Sequence, residues 1–349
     1  MKYYFVYFLI LIFHFSNCFS QIEKPFSLYL IGDSGEDTAS GKALLMLQAE
    51  LDANPNSAVV FLGDNVYPSG LKQGDKVSEK KLLSQLRILN EYKGQAYFIP
   101  GNHDWASQGT KGLKRINNEE NYVEQYVSQH TEATNKGNAF LPSNALPGPE
   151  TVLLSAGIRL ICIDTQWFLH QYKKNKIQSK RKTIELFYHR LDSIINCSKQ
   201  NNEQLIIAAH HPIYSNGLHA KSKQPIRFLI NYTPFRIFGF MGLTRLFTQD
   251  LPQPSYSKMR KRLLQSINRN TNIIYASGHD HNFQLFKMEN NNFIVSGAGS
   301  KFEPFCKKNK FDSSYQCSGN TGFVKIDFYT SDKKQFFLFQ VGKEKIEVE

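Results

Sequence analysis

The sequence has no C-x-x-C pair. That absence removes the paired thiolates from which a structural zinc site or a redox dithiol is usually built. Beyond the first twenty residues it has no apolar run long enough to cross a bilayer, which takes about 20 residues. No internal period of roughly 20–50 residues stands out, so a solenoid or propeller is excluded. No DNA- or RNA-binding motif occurs. The chain is also short of acid, with 30 Asp and Glu against 42 Lys and Arg and a net charge of +12. Such a balance favours anionic partners without choosing among phosphate esters, nucleic acid and a membrane surface. An apolar content of 41% and a charged content of 21% suit a folded globular protein.

The first twenty residues, MKYYFVYFLILIFHFSNCFS, place Lys2 before an apolar run and end on Cys18-Phe19-Ser20. They read as a secretory signal peptide cleaved before Gln21. The run from Tyr3 to Phe15 is short for a membrane anchor. Export permits disulfides. Cys306 and Cys317 flank a polar loop and could close it, whereas Cys162 lies in the apolar run RLICID and reads as a buried thiol.

Strands and helices alternate along the remaining chain, residues 21–349, which reads as one α/β domain. PFSLYLIGDSG, SAVVFLGDN, QAYFIPGNHD, GIRLICIDT, QLIIAAHHP, NIIYASGHDH and NFIVSGAG are apolar runs that break into polar loops. FVKIDFY and QFFLFQV add two more strands. Helices are predicted over residues 39–53, 78–91, 117–131, 180–196 and 255–269. Residues 215–256 break the alternation with aromatics, basic residues and prolines. They read as an insertion that packs on the domain, caps a site, or makes peripheral membrane contact.

Metal-capable side chains gather at the strand ends. Asp33, Asp64, Asn102, His210, His279 and His281 each follow an apolar strand, where α/β sheets place ligand sites. His279 and His281 lie two residues apart and face one side of an extended segment. By themselves they could chelate one metal, serve two metals, or form a polar turn. Carboxylate, phenolate, amide oxygen and imidazole together suit iron, manganese or zinc.

The motifs GDSG (32–35), GDNVY (63–67), GNHD (101–104), AHHP (209–212) and GHDH (278–281) stand in the order seen in calcineurin-like metallophosphoesterases. The tyrosine of GDNVY, with IVSGAGS after GHDHNFQ, resembles the purple, tartrate-resistant acid phosphatases. The resemblance runs from about Phe26 to Gly299 and implies an αββα sandwich of two mixed sheets flanked by helices, with a dinuclear metal site at one edge.

Carried over residue by residue, the resemblance implies that Asp33, Tyr67 and His281 bind a first metal, Fe(III). Asn102, His210 and His279 bind a second, which is Fe, Zn or Mn, and Asp64 bridges the two. His103 would hold substrate phosphate or assist proton transfer, with Asp104 orienting it, and His219 would protonate the leaving alkoxide. Ile207 stands where the family pattern has valine before its histidine, and the insertion leaves substrate choice open. Asp280 is expected to point away into a structural hydrogen bond, Asp164 to support a loop, His211 to sit beside the site, and His130, His170 and His189 to be surface residues.

The expected activity is an exported phosphatase acting on small phosphate monoesters through a metal-bound hydroxide. A phosphodiesterase, nucleotidase or nuclease on the same metals is the alternative, and a non-catalytic surface binding protein is a third reading. The sequence leaves the oligomeric state open.

Overall fold

Side chains in the central strands alternate between two apolar layers. In β1 (Phe26–Ile31) Leu28 and Leu30 face one buried cluster while Tyr29 and Ile31 face another. In β2 (Ser57–Phe61) Ala58 and Val60 oppose Val59 and Phe61 in the same way. A strand buried on both faces reads as a continuous apolar run, which is how these segments look in the sequence. The structure is a computed structural model describing residues 24–36, 41–106, 109–170, 177–220, 251, 253–306, 309–330 and 333–348. The signal-peptide reading of residues 1–20 and most of the insertion at 215–256, with its suggested membrane contact, lie outside them. Among the described residues no helix is long and apolar enough to cross a membrane.

In chain order the elements after β1 are α1 (Gly41–Ala53), β2, α2 (Lys76–Leu86), β3 (Gln95–Phe98), α3 (Gly109–His130), β4 (Glu150–Ser155) and β5 (Ile158–Cys162). There follow α4 (Thr165–Leu169), α5 (Ile177–Gln200), β6 (Gln204–Ala208), α6 (Pro254–Ile267), β7 (Ile273–Ser277), β8 (Phe283–Met288) and β9 (Asn291–Ser296). The chain closes with β10 (Tyr315–Cys317), β11 (Gly322–Phe328), β12 (Lys334–Gln340) and β13 (Ile346–Glu347).

The strands form two mixed sheets, ordered β13-β12-β11-β1-β2-β3 and β10-β8-β9-β7-β6-β5-β4. Within the first, β1, β2 and β3 run parallel and β11 pairs antiparallel to β1. Within the second, β5, β6, β7 and β9 run parallel, with β4 antiparallel at one edge and β8 antiparallel between β9 and the other edge strand, β10. Leu28, Leu30, Val60 and Ile326 of one sheet share an apolar cluster with Leu160, Ile206, Ile274 and Ile294 of the other. The sheets therefore pack face to face, and the second cluster lies under the helices.

The helices bury one stripe each. In α1 the buried positions are Ala43, Leu44, Leu47 and Leu51, the spacing of one helical face. In α3 they are Gly112, Ile116, Glu119, Val123 and Val127, so a carboxylic acid sits within an apolar stripe. That helix starts eight residues before the predicted 117, because GTKGLKRI continues the same face. Four of the strands, β4, β8, β10 and β13, were not predicted. β4, β10 and β13 lie at sheet edges, where little apolar patterning is needed, whereas β8 is an inner strand between β10 and β9 that directly follows the GHDHN loop.

Parallel strands put equivalent ends together, so the carboxyl ends of β1, β2, β3, β6 and β7 converge on one edge of the sandwich. The two sheets are tied there by Gly32 N–H donating to Ser296 O at 2.8 Å, and Gly278 N–H donates to His210 O at 3.1 Å within the second sheet.

Candidate metal centre

Three residues of this edge, Asp33, Asp64 and His279, hold φ values of 58°, 55° and 71°. Non-glycine residues rarely take that left-handed conformation, although Asp and His tolerate it better than most. Each stands two or three residues past a strand, β1, β2 or β7, and so at the sheet edge. Strain of this kind gathers at functional sites.

Backbone amides then fix the carboxylates. His279 N–H donates to Asp33 Oδ2 and His103 N–H to Asp64 Oδ1, both at 2.7 Å. The second oxygen of each is left facing inward. Glycines make the close approach possible. A Cβ on Gly101 would stand 2.2 Å from Asp64 N and 2.3 Å from Asp64 Oδ1.

The inward atoms form two groups. In the first, Tyr67 Oη lies 2.9 Å from Asp33 Oδ1, 3.0 Å from Asp64 Oδ2 and 3.2 Å from His281 Nε2. In the second, Asn102 Oδ1 lies 2.9 Å from both His210 Nε2 and His279 Nδ1, which are 3.3 Å from each other. Asp64 Oδ2 belongs to both, being also 3.4 Å from His210 Nε2. Ligand atoms of Asp33, Asp64 and His210 all fall within 4.8 Å of one another.

The imidazoles are oriented from behind. His210 Nδ1 is 2.8 Å from Leu62 O; a carbonyl only accepts, so the proton is on Nδ1 and Nε2 faces the site. His281 Nδ1 is 3.2 Å from Glu303 Oε2, leaving Nε2 turned toward Asp33. Burial works against charge on His210, but the Asp64 carboxylate outweighs it and raises the ring to about 9. Burial likewise opposes charge on His281, and the hydrogen bond to Asp33, with Glu303, lifts it to about 10. Burial pushes Asp64 upward, yet His210 and His103 more than reverse it and hold it well below the usual carboxylate range. The cluster as built is a buried anionic cup that demands positive charge. Its hard oxygen donors and fixed imidazoles fit two cations of the iron, zinc or manganese kind.

All seven expected ligand residues thus stand together. His103 and His219 lie at the rim. His103 Nδ1 is 2.8 Å from Pro68 O, its ring rests on Tyr67 at 4.4 Å, and its Nε2 is 4.0 Å from Asp64 Oδ2. The His219 ring lies 4.4 Å from that of His279, beside the second group. Asp280 points away, accepting from Ser215 Oγ at 2.5 Å and from His219 N–H at 3.2 Å. His211 sits beside the site against Thr165 Oγ1 at 2.8 Å. Asp164 caps α4 through Trp167 N–H at 3.0 Å.

Three expectations are overturned. Asp104 does not orient His103; it is fully buried and accepts from Gly101 N–H and Val66 N–H at 2.7 and 3.0 Å, bracing the loop beneath. Cys306 and Cys317 are not bonded: their thiols turn to Gly217 O and Gln340 Oε1. His170 is buried against Trp105, with ring centres 4.4 Å apart, and burial lowers it to about 3. His130 and His189 are exposed.

Sequence reasoning missed Glu119, Glu303 and Lys301. Glu119 accepts from Asn65 Nδ2 at 3.0 Å behind the site, and burial with the Asp104 carboxyl raises its pKa well above the ordinary value. Its signal was there, as an acid in the stripe of α3. Lys301 and Glu303 follow the last motif with no pattern of their own.

A family model for calcineurin-like phosphoesterases matches residues 26–283. Purple acid phosphatase 17 of Arabidopsis thaliana is 21% identical over 291 residues, covering 79% of this chain and 68% of that protein. Among solved structures, GAP50, the anchor in the inner membrane complex of Plasmodium, aligns at a TM-score of 0.58 and 16% identity over 93% of this chain and 89% of its own. A dimetal phosphatase from Danio rerio aligns at 0.54 and 11% identity over 93% and 99% of the two chains. Purple acid phosphatase PPD1 from yellow lupin aligns at 0.51 and 13% identity over 92% of this chain and 52% of its own. At such identities the structural neighbours speak to the fold alone, a sandwich of two mixed sheets flanked by helices.

Proposed function

Because the chain belongs to the calcineurin-like phosphoesterase family, we propose that it is an exported phosphatase that uses two metal ions to hydrolyse small phosphate monoesters. The observation that carries this reading is Asp64 Oδ2, the one oxygen common to both donor groups, 3.0 Å from Tyr67 Oη and 3.4 Å from His210 Nε2. Asp33, Tyr67 and His281 would hold one ion, with ferric iron favoured by the phenolate. Asn102, His210 and His279 would hold the other, an iron, zinc or manganese ion, and Asp64 would join the two. Bound there, such ions supply Lewis acidity at the phosphoryl oxygens and a water acidic enough to attack phosphorus.

The chain's own residues do the rest. Burial of Asp33, Asp64, His210 and His279 keeps water off the inner side and lets the site's charges act at short range. His103, with one proton kept on Nδ1 by Pro68 O, uses Nε2 to give a proton to the departing alkoxide. His219, on the flank of His279, steadies a phosphoryl oxygen and is the second candidate for that proton transfer. Export is supported by the signal-peptide character of residues 1–20. The complete donor set weighs against a purely non-catalytic binding role.

The test is hydrolysis of p-nitrophenyl phosphate by the purified, metal-loaded protein. Activity should vanish on chelation and fall at least a hundredfold in Asp64→Asn. Native activity in Asp64→Asn would refute the assignment.

A further inference from the structure

The open side of the site carries a cation that none of the motifs includes. Lys301 Nζ stands 3.9 Å from the centre of the Tyr67 ring and 3.5 Å from Glu36 Oε2. Tyr67 itself is only 4% exposed, so this ammonium lies directly over a buried member of the donor cup. The Lys301 and Glu36 side chains are 36% and 41% exposed, like His103 at 36%, whereas His281 and Asp33 below are 10% and 0% exposed. The inner atoms are thus donors for metal, and the half-exposed ones form the rim a substrate meets first.

We propose that Lys301 is a specificity-determining substrate contact that recognises the second negative charge of a phosphate monoester, with Glu36 as the anion it exchanges for substrate. This rests on the phosphatase reading above and names the substrate class of the same site, dianionic monoesters over monoanionic diesters. A phosphate monoester carries close to two charges at neutral pH because its second pKa is about 6, and a diester carries one. Each cation facing the phosphoryl group therefore gains about twice as much from the monoester. Lys301 is placed to make that distinction because the donors beneath it are committed to metal, whereas its own ammonium stands half-exposed at the rim. The ring of Tyr67 holds the ammonium over the site by a cation–π contact, while Glu36, at salt-bridge range and exposed to water, is a weak partner that a phosphate displaces. Glu303 is also close enough to feel this ammonium, but it is held by His281 at 3.2 Å, so Glu36 is the partner free to exchange.

The signs of two substitutions test this. With metal-loaded protein, the ratio of kcat/KM for p-nitrophenyl phosphate to that for bis-p-nitrophenyl phosphate is measured alongside calorimetric binding of inorganic phosphate. Lys301→Met should lower the ratio roughly three- to tenfold and weaken phosphate by a similar factor, the range of one partly exposed charge-assisted contact. Lys301→Arg should restore most of both, and Glu36→Gln should move both in the opposite direction. An equal fall on the two esters, a loss of bound metal in Lys301→Met, or weaker phosphate binding in Glu36→Gln would overturn the proposal. If the wild-type protein hydrolysed neither ester, the phosphatase reading would fail by itself, and phosphate binding alone would decide the role of Lys301.

Discussion

Tyr67 Oη sits 3.0 Å from Asp64 Oδ2 and turns the same hydroxyl to Asp33 Oδ1 at 2.9 Å. One phenol proton serves two carboxylates that burial would otherwise set against each other. Burial, then the charges of Asp33 and Asp64, raise the Tyr67 pKa well above its ordinary value. In metal-free protein Tyr67 is therefore a neutral phenol, and only a strongly acidic cation takes its proton at neutral pH. The prediction is that iron loading produces a visible charge-transfer band that is absent from Tyr67→Phe. In the metal-free state Tyr67→Phe should also cost about 1–3 kcal/mol, the range for buried acceptors left without a donor, measurable by denaturant unfolding. A Tyr67→Phe protein that kept the band would contradict the assignment.

A second prediction concerns pH. His210 and His281 are raised to about 9 and about 10 in the folded state, above the ordinary value near 6.5. The folded state then holds more protons than the unfolded one between these limits, so their stabilising contribution is complete below pH ~6.5 and is lost as pH rises through the raised values. Asp64 is shifted the other way; its contribution is present above its unfolded pKa and is lost as pH falls below it. Metal-free protein should lose thermal stability from pH ~6.5 upward, and His281→Asn should lose less over that range. Metal-loaded protein should lack this decline, since bound cations replace the protons. A metal-free melting temperature that rose steadily with pH would contradict this.

Backbone space gives a third prediction. Gly101→Ala places a carbon 2.2 Å from Asp64 N, and a backbone atom cannot step aside as a flexible side chain does. The variant should displace Asp64, lose about 1–3 kcal/mol of stability by overpacking, and lose metal affinity. Gly41→Ala, where a Cβ meets nothing within 4 Å at the start of α1, is the control and should leave metal affinity unchanged and stability equal or slightly higher. Chelator competition and thermal melting compare the two.

The fourth concerns proton transfer. If His103 Nε2 protonates the leaving group, His103→Asn should slow substrates with poor alkyl leaving groups about 10²–10⁴-fold. With p-nitrophenyl phosphate, whose leaving group needs little protonation, the loss should be much smaller. Equal losses on both substrates would move this role to His219.

Much of this was legible before the structure. The apolar runs of β1, β2, β6 and β7 and the polar residues at their ends are local signals, and strand-end placement follows from parallel topology. The edge strands β4, β10 and β13 were not legible, because pairing partners rather than their own residues make them strands, and the inner strand β8 was hidden because its apolar run follows the GHDHN loop without a break. Asp104 was misread because adjacency to His103 in sequence says nothing of direction; its carboxylate turns under the loop to the amides of Gly101 and Val66. Glu303 and Lys301 were silent because they act by reaching back over the site from a loop with no motif. Cys306 and Cys317 show the converse: a plausible loop closure in sequence, with the thiols turned to different carbonyls in space.

The shared position of Asp64 Oδ2 is the centre of the account, and metal stoichiometry tests it most directly. Elemental quantification of the purified protein, loaded and then dialysed, should find two metal equivalents per chain in the wild type and a loss of both on Asp64→Asn. A single equivalent in the wild type, or two retained by Asp64→Asn, would contradict it.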